Sequence, residues 1–347
     1  QQQQQQQQQP SSIVGGPYRL MQRQMGQDFV NHYTFFEGYD AGNYAYTMYQ
    51  PKEAGLVYTQ QDDDNNNNDN STTTTTTLVR LDTVPSWEGP RRATRLEGKE
   101  SFSRGLFVMD VRHVPTGCGV WPALWMTDVT QWPNHGEIDI VESVHYQSHA
   151  KTSLHTSKGC FMGGRSGGMT GHWAFVTGLF TRATNCYVGA FWEWYNTGCA
   201  VVHPERGTMG AEWNEKGGGI FVLEWDPENG VIQSWAFASS SLVPADLQEA
   251  LQKDDATPDP SLWGLPYARF RIGPNSNCPL HHFENLSIIV NTAFCGSLGR
   301  AFYRWVCPSR ITSKYATCEE WVASNPPELD EAYWKLGGIH IYQREWI

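Results

Sequence analysis

The chain has 347 residues, Lys+Arg 25 against Asp+Glu 36, and a net charge of −11. That balance argues against nucleic acid as the main partner, and no apolar run reaches the roughly 18 residues of a membrane span. Gly 33, Pro 19 and 13% aromatic residues, with few long helical patterns, favour an all-β fold.

The chain opens on Gln1–Gln9 and Pro10, a low-complexity stretch expected to form a disordered tail over residues 1–26. There is no initiating methionine and no apolar leader, which fits a processed or trimmed product. Residues 27–347 are expected to form one β domain, with no internal repeat or second linker. Residues 62–77 (DDDNNNNDNSTTTTTT) interrupt its early strands and read as a surface loop insertion. This insertion holds the sequon Asn70-Ser71-Thr72. A second sequon, Asn285-Leu286-Ser287, borders an apolar strand and is expected to be buried.

Gly105–Val111, Gly219–Trp225 and Leu286–Val290 are short apolar segments set between turn residues, the pattern of a β-sandwich or jelly roll. Helical patterning is confined to three peripheral pieces: Pro244–Lys253, Thr317–Ser324 and Leu329–Leu336.

Glu137-Ile138-Asp139-Ile140-Val141-Glu142 places three carboxylates in a β-branched run. Glu137 and Asp139 share a face of a strand, whereas Glu142 would point away from them unless one residue bulges. With that bulge the outer glutamates stand about 13 Å apart at Cα. Their carboxyls can then lean to about 5–6 Å, the separation of retaining glycoside hydrolysis. Like-charge crowding should raise at least one of the three pKa values and keep an acid protonated near neutral pH. Charged gatekeeping at a sheet edge is the bland alternative, but it does not require this spacing.

The eight cysteines include no CxxC pair and are expected to form disulfides in an oxidising compartment, with 105 pairings open. The eleven His form no H-E-x-x-H set, so no metal or other cofactor is assigned.

The carboxylate stretch resembles the E-x-D-x-x-E signature of glycoside hydrolase family 16, and its flanks resemble the family's fungal endo-1,3(4)-β-glucanases, or laminarinases. Gly117-Cys118-Gly119-Val120-Trp121-Pro122-Ala123-Leu124-Trp125 and Trp132-Pro133-Asn134-His135-Gly136 precede the signature. Leu154-His155-Thr156-Ser157, Trp263-Gly264-Leu265-Pro266, Phe294-Cys295-Gly296 and Ala332-Tyr333-Trp334 follow in the family's order. The resemblance covers roughly residues 27 to 347. It implies a curved jelly roll with an open concave cleft, retention of anomeric configuration and no cofactor.

Carried over by position, Glu137 resembles the nucleophile, Glu142 the general acid/base and Asp139 the helper between them. His155 then becomes a candidate for hydrogen bonding at the nucleophile or sugar. Trp121, Trp125 and Trp132 become candidate stacking platforms for glucose rings. Arg91 and Arg95 resemble a strand of the branch that can line the cleft. Departures are Ser297-Leu298 where the branch has Asp-Trp, Ser239 where it has arginine, and Ser143 where it has glycine. None touches the three acids.

The expected function is therefore endo-acting hydrolysis of 1,3-linked or mixed 1,3/1,4-linked β-glucans by a secreted monomer, with a glucan polysaccharide or oligosaccharide as its partner and no membrane. Two alternatives remain: transglycosylation through the same covalent intermediate, and glucan binding without catalysis.

Overall fold

A computed structural model describes residues 15–63, 75–86, 88–163, 167–176, 181–191 and 193–345. The polyglutamine stretch and the Asn70 sequon lie outside these residues.

Two eight-stranded sheets, antiparallel at every pairing, stack face to face. One runs in the order His172–Trp173, Cys199–Val202, Lys151–His155, Glu137–Glu142, Val120–Thr127, Ser287–Phe294, Arg95–Gly98 and Tyr33–Phe35. This is the site sheet. The second sheet is centred on Gly219–Asp226, Gly105–His113 and Trp334–Arg344. Gly105–His113 shows how strand alternation builds the layers. Its Phe107, Met109 and Val111 enter the core between the sheets, beside Ile138, Ile140 and Leu154 of the site sheet. Leu106 and Val108 point the other way, into a smaller cluster with Leu247 and Ala250 of the helix Ala245–Gln252. Burial on both faces explains why residues 106–109 read as an unbroken apolar run.

All eight cysteines are paired: Cys118–Cys307, Cys160–Cys278, Cys186–Cys199 and Cys295–Cys318. The first and last pairs tie a helical lobe to the end of the site sheet. That lobe carries the helices Gly296–Val306 and Cys318–Ala323 and packs Tyr303, Ile311, Trp321 and Val322 around the sulfurs. Thr317 caps the second helix and Glu320 returns the bond, forming a capping box.

Four expectations need correction. Tyr18–Gln24, assigned to the tail, is a strand paired with Trp334–Arg344, and buried Tyr18 donates to Glu224 at 2.9 Å. The insertion at 62–77 is entered and left by strands, since Val57–Asp63 pairs with Thr75–Leu81. Leu329–Leu336 is not a helix: a 3-10 turn ends at Glu331, and the long strand begins at Trp334, whose indole donates to Asn291 O at 3.0 Å. Asn285 of the second sequon is exposed, in a positive-φ turn just before its strand.

Candidate active site

The site is built on Glu137–Glu142. Against the preceding strand, Thr127 pairs with Glu137, Trp125 with Asp139, Leu124 with Val141 and Ala123 with Glu142. Directly paired residues of antiparallel strands share a face. Thr127, Trp125 and Ala123 alternate on one face, so the three acids stand there together. Ile140 has no partner on Val120–Thr127 and is the bulged residue that makes this so. Its carbonyl accepts from the Thr152 hydroxyl at 2.9 Å, and its side chain is buried in the core. Gly136 makes the tight entry into the strand. Its φ is +75°, and a Cβ there would lie 2.1 Å from His282 O.

Each acid has a distinct set of partners. Trp132 Nε1 donates to Glu137 Oε2 at 2.7 Å, and Trp121 Nε1 donates to Glu142 Oε1 at 2.7 Å. Lys151 Nζ lies 2.5 Å from the other Glu142 oxygen. His155 Nε2 is 3.1 Å from Asp139 Oδ2 and 3.9 Å from Glu137 Oε1. Trp125, the cross-strand partner of Asp139, turns its indole N–H elsewhere. It donates to Asn291 Oδ1 at 2.8 Å and lies under the Arg95 guanidinium, 5.2 Å from its ring centroid. The structure thus brings Glu137, Asp139, Glu142, His155, Trp121 and Trp132 into one cluster, with Trp125 and Arg95 beside it. Arg91 lies elsewhere, buried over Phe294 with a bond to Leu329 O. Leu298, one of the departures, packs in the apolar cluster of Trp121.

Burial and the Asp139 charge push Glu137 up to about 8. Burial raises Asp139 too, against the pull of His155. Burial also opposes ionisation of Glu142, but the Lys151 ammonium and the Trp121 N–H outweigh it and lower its pKa. His155 is buried, yet its bond to Asp139 and the charge of Glu137 lift it to about 9. Two acids are therefore raised, as crowding requires, and they are Glu137 and Asp139 rather than Glu142. Glu137, Asp139 and His155 each offer an atom within 4.8 Å of the others, the spacing of a metal cage. A protonated imidazole is no metal ligand, and here it already supplies the positive charge between the two carboxylates.

Sequence reasoning passed over Lys151 and Asn291. Lys151, Ser153 and His155 alternate along Lys151–His155, so the strand period already placed Lys151 on the face of the histidine. Asn291 bridges Trp125 to the buried Tyr49 hydroxyl, itself bonded to Asp40, and no local pattern marks it.

A two-sheet antiparallel sandwich with a row of indole-capped carboxylates on one face defines the class: a jelly-roll glycoside hydrolase domain. The model of the XgeA-like catalytic domain of family 16 matches residues 33–342, and the chain belongs to glycoside hydrolase family 16. It is 38% identical over 265 residues to an endo-1,3(4)-beta-glucanase of Arthroderma benhamiae, covering 75% of this chain and 52% of that protein. It is 33% identical over 334 residues to the endo-1,3(4)-beta-glucanase xgeA of Emericella nidulans, covering 94% and 47%. The chain thus spans about half the length of these curated relatives. Among solved structures, Laminarinase 16A from Phanerochaete chrysosporium, with 6-O-glucosyl-laminaritriose in donor and acceptor sites, superimposes with a TM-score of 0.75. Identity there is 31%, over 94% of this chain and 99% of that one. An elongating family 16 β-1,3-glucosyltransferase superimposes at 0.74, with 28% identity over 94% and 100% of the chains.

Proposed function

We propose that this chain is a retaining, endo-acting hydrolase of β-glucans with 1,3-linked or mixed 1,3/1,4-linked backbones. One observation carries the reading. The Ile140 bulge puts Glu137 and Glu142 on one face, each with one oxygen capped by an indole and the other turned to a different neighbour. Two carboxyls so fixed on a rigid strand divide into nucleophile and acid/base.

In the first step a Glu137 oxygen bonds to the anomeric carbon while the glycosidic bond breaks and its oxygen takes the proton of Glu142. In the second, water attacks the same carbon, its proton passes to Glu142, and Glu137 leaves as carboxylate. Burial and the Asp139 charge favour the proton on Glu137, so glycosylation requires it to move within the cluster. Asp139, standing between the two glutamates, is the group both share. His155 stays positive near neutral pH and offsets the charge that collects there. Trp132 is held by its N–H group and half-buried, which leaves ring surface for sugar, whereas the Trp121 ring is buried in its apolar cluster. Likeness to endo-1,3(4)-beta-glucanases supports attack within a long chain.

Glu137→Gln should lower hydrolysis of laminarin-type and lichenan-type glucans by at least about 10³-fold while the protein stays folded. Unchanged turnover would sink the assignment. Transfer to a sugar acceptor is the second reading, favoured by the likeness to the elongating glucosyltransferase. Products longer than the donor would establish it. Four disulfides fit an oxidising, extracellular setting. Among the described residues no helix is long and apolar enough to cross a membrane.

A further inference from the structure

Glu142 is gripped from two sides. Trp121 donates to one oxygen from the preceding strand, and Lys151 places its ammonium on the other from the following strand. The Lys151 side chain is only 22% exposed. Its strand is locked in register on both sides, Asp139 facing Ser153 and Val202 facing Lys151. A lysine so enclosed persists because a carboxylate meets it, and the stem has little room to swing away.

We infer that Lys151 is the positioning residue of Glu142, holding it ionised and aimed, and so favouring the half-reaction in which Glu142 acts as base. This rests on the hydrolase reading above and adds to it a residue that decides how the two halves are balanced.

The charged groups around Glu142 are few. Glu137 and Asp139 face it from its own strand, and Lys151 and His155 from the next. Val120–Thr127 and Cys199–Val202, which flank these two strands, contribute no acid or base. Of the two cations only Lys151 touches Glu142, while His155 is bonded to Asp139. Burial alone would keep Glu142 protonated, and the ammonium reverses that. When Glu137 is tied up as the glycosyl ester, its negative charge is gone and Asp139 alone on that strand opposes the ionised form. Glu142 then waits as a base for water or a sugar hydroxyl. Protonating the leaving oxygen in the first half is correspondingly confined to lower pH.

The Trp121 indole N–H reports this state directly, because it donates to Glu142. With 15N-labelled tryptophan, and Trp121→Phe to assign the resonance, its chemical shift is followed against pH in the wild type and in Lys151→Met, Lys151→Gln and Lys151→Arg. The midpoint should rise by about one pH unit in the Met and Gln variants and stay in place in the Arg variant. Because Glu142 titrates below Glu137, it sets the acid limb of kcat/KM on laminarin, which should move up by the same amount. For an aryl glucoside whose leaving group needs no proton, Glu142 should set no limb in the wild type or the variants. An indole midpoint that does not move in either folded neutral variant overturns the role of Lys151, whatever the wild type does to glucan. A midpoint that moves in a protein that cleaves no β-glucan upholds Lys151 and overturns the hydrolase reading alone.

Discussion

At the scale of single residues, the site is a charge arrangement before it is a set of roles. Three carboxylates face two cations, and each acid is tuned by what touches it rather than by residue type. Asp139 is the lever on Glu137, since its charge is the largest contribution after burial to the raised pKa. In Asp139→Asn that repulsion disappears, and Glu137 ionises at lower pH. With Glu137 as the proposed nucleophile and titrating above Glu142, it sets the basic limb of kcat/KM. That limb should move to lower pH, while kcat falls on the order of 10-fold to 100-fold as the shared proton site is removed. A pH–rate profile measures both, and an unmoved limb would mean that Asp139 does not govern Glu137. These residues were legible in the sequence to different degrees. The acids and indoles are local, within five to twenty-one positions of one another along the chain. Asn291 reaches Trp125 across 166 positions, and no short pattern encodes such a meeting.

Elements explain what the pattern did and did not foretell. The bulge was readable because strand alternation fails for an acid five residues on, and Ile140 is where the register absorbs the extra residue. The helix Ala245–Gln252 was readable from its period. Gly296–Val306 was not: it opens Gly-Ser-Leu-Gly, which reads as turn, and tertiary contacts override that propensity. Leu298 and Phe302 of this helix support Trp121, and Tyr303 packs with the disulfide sulfurs. Leu329–Leu336 failed for a related reason, because its apolar residues serve the start of a strand rather than a helical face. The Cys295–Cys318 bridge spans 23 residues and ties the start of one helix to the other. Loop-closure entropy for that span is about 3 kcal/mol. Replacing both cysteines by serine should cost about that much in chemical denaturation and raise KM by loosening the support of Trp121. A loss well under 1 kcal/mol would mean that packing alone holds the lobe.

On the scale of the whole molecule, buried titratable groups pull stability in two directions. His145 is buried with Nδ1 accepting from the Gly119 N–H and Nε2 donating to Gly299 O, an arrangement only the neutral ring can make. Burial lowers it to about 4, and burial beside Arg23 lowers His340 to about 4 as well. An unfolded histidine titrates near 6.5, so below that pH the unfolded chain binds protons the fold refuses. Stability is lost between about pH 6.5 and 4, on the order of 3 kcal/mol for each ring. The active site has the opposite sign. Glu137 at about 8 and His155 at about 9 are raised, so the fold binds protons that the unfolded chain has released. Their contribution is present at low pH and fades as pH rises through those values. The two trends cross near pH 6 to 6.5, where thermal stability should peak. Glu137→Gln separates them, because its amide keeps an oxygen for the Trp132 N–H and never ionises. Its melting temperature should match that of the wild type near pH 5 and exceed it at pH 8, flattening the alkaline arm while the acid arm stays. Parallel melting curves for the two proteins from pH 5 to 8 would show that the crowded carboxylates cost the fold nothing.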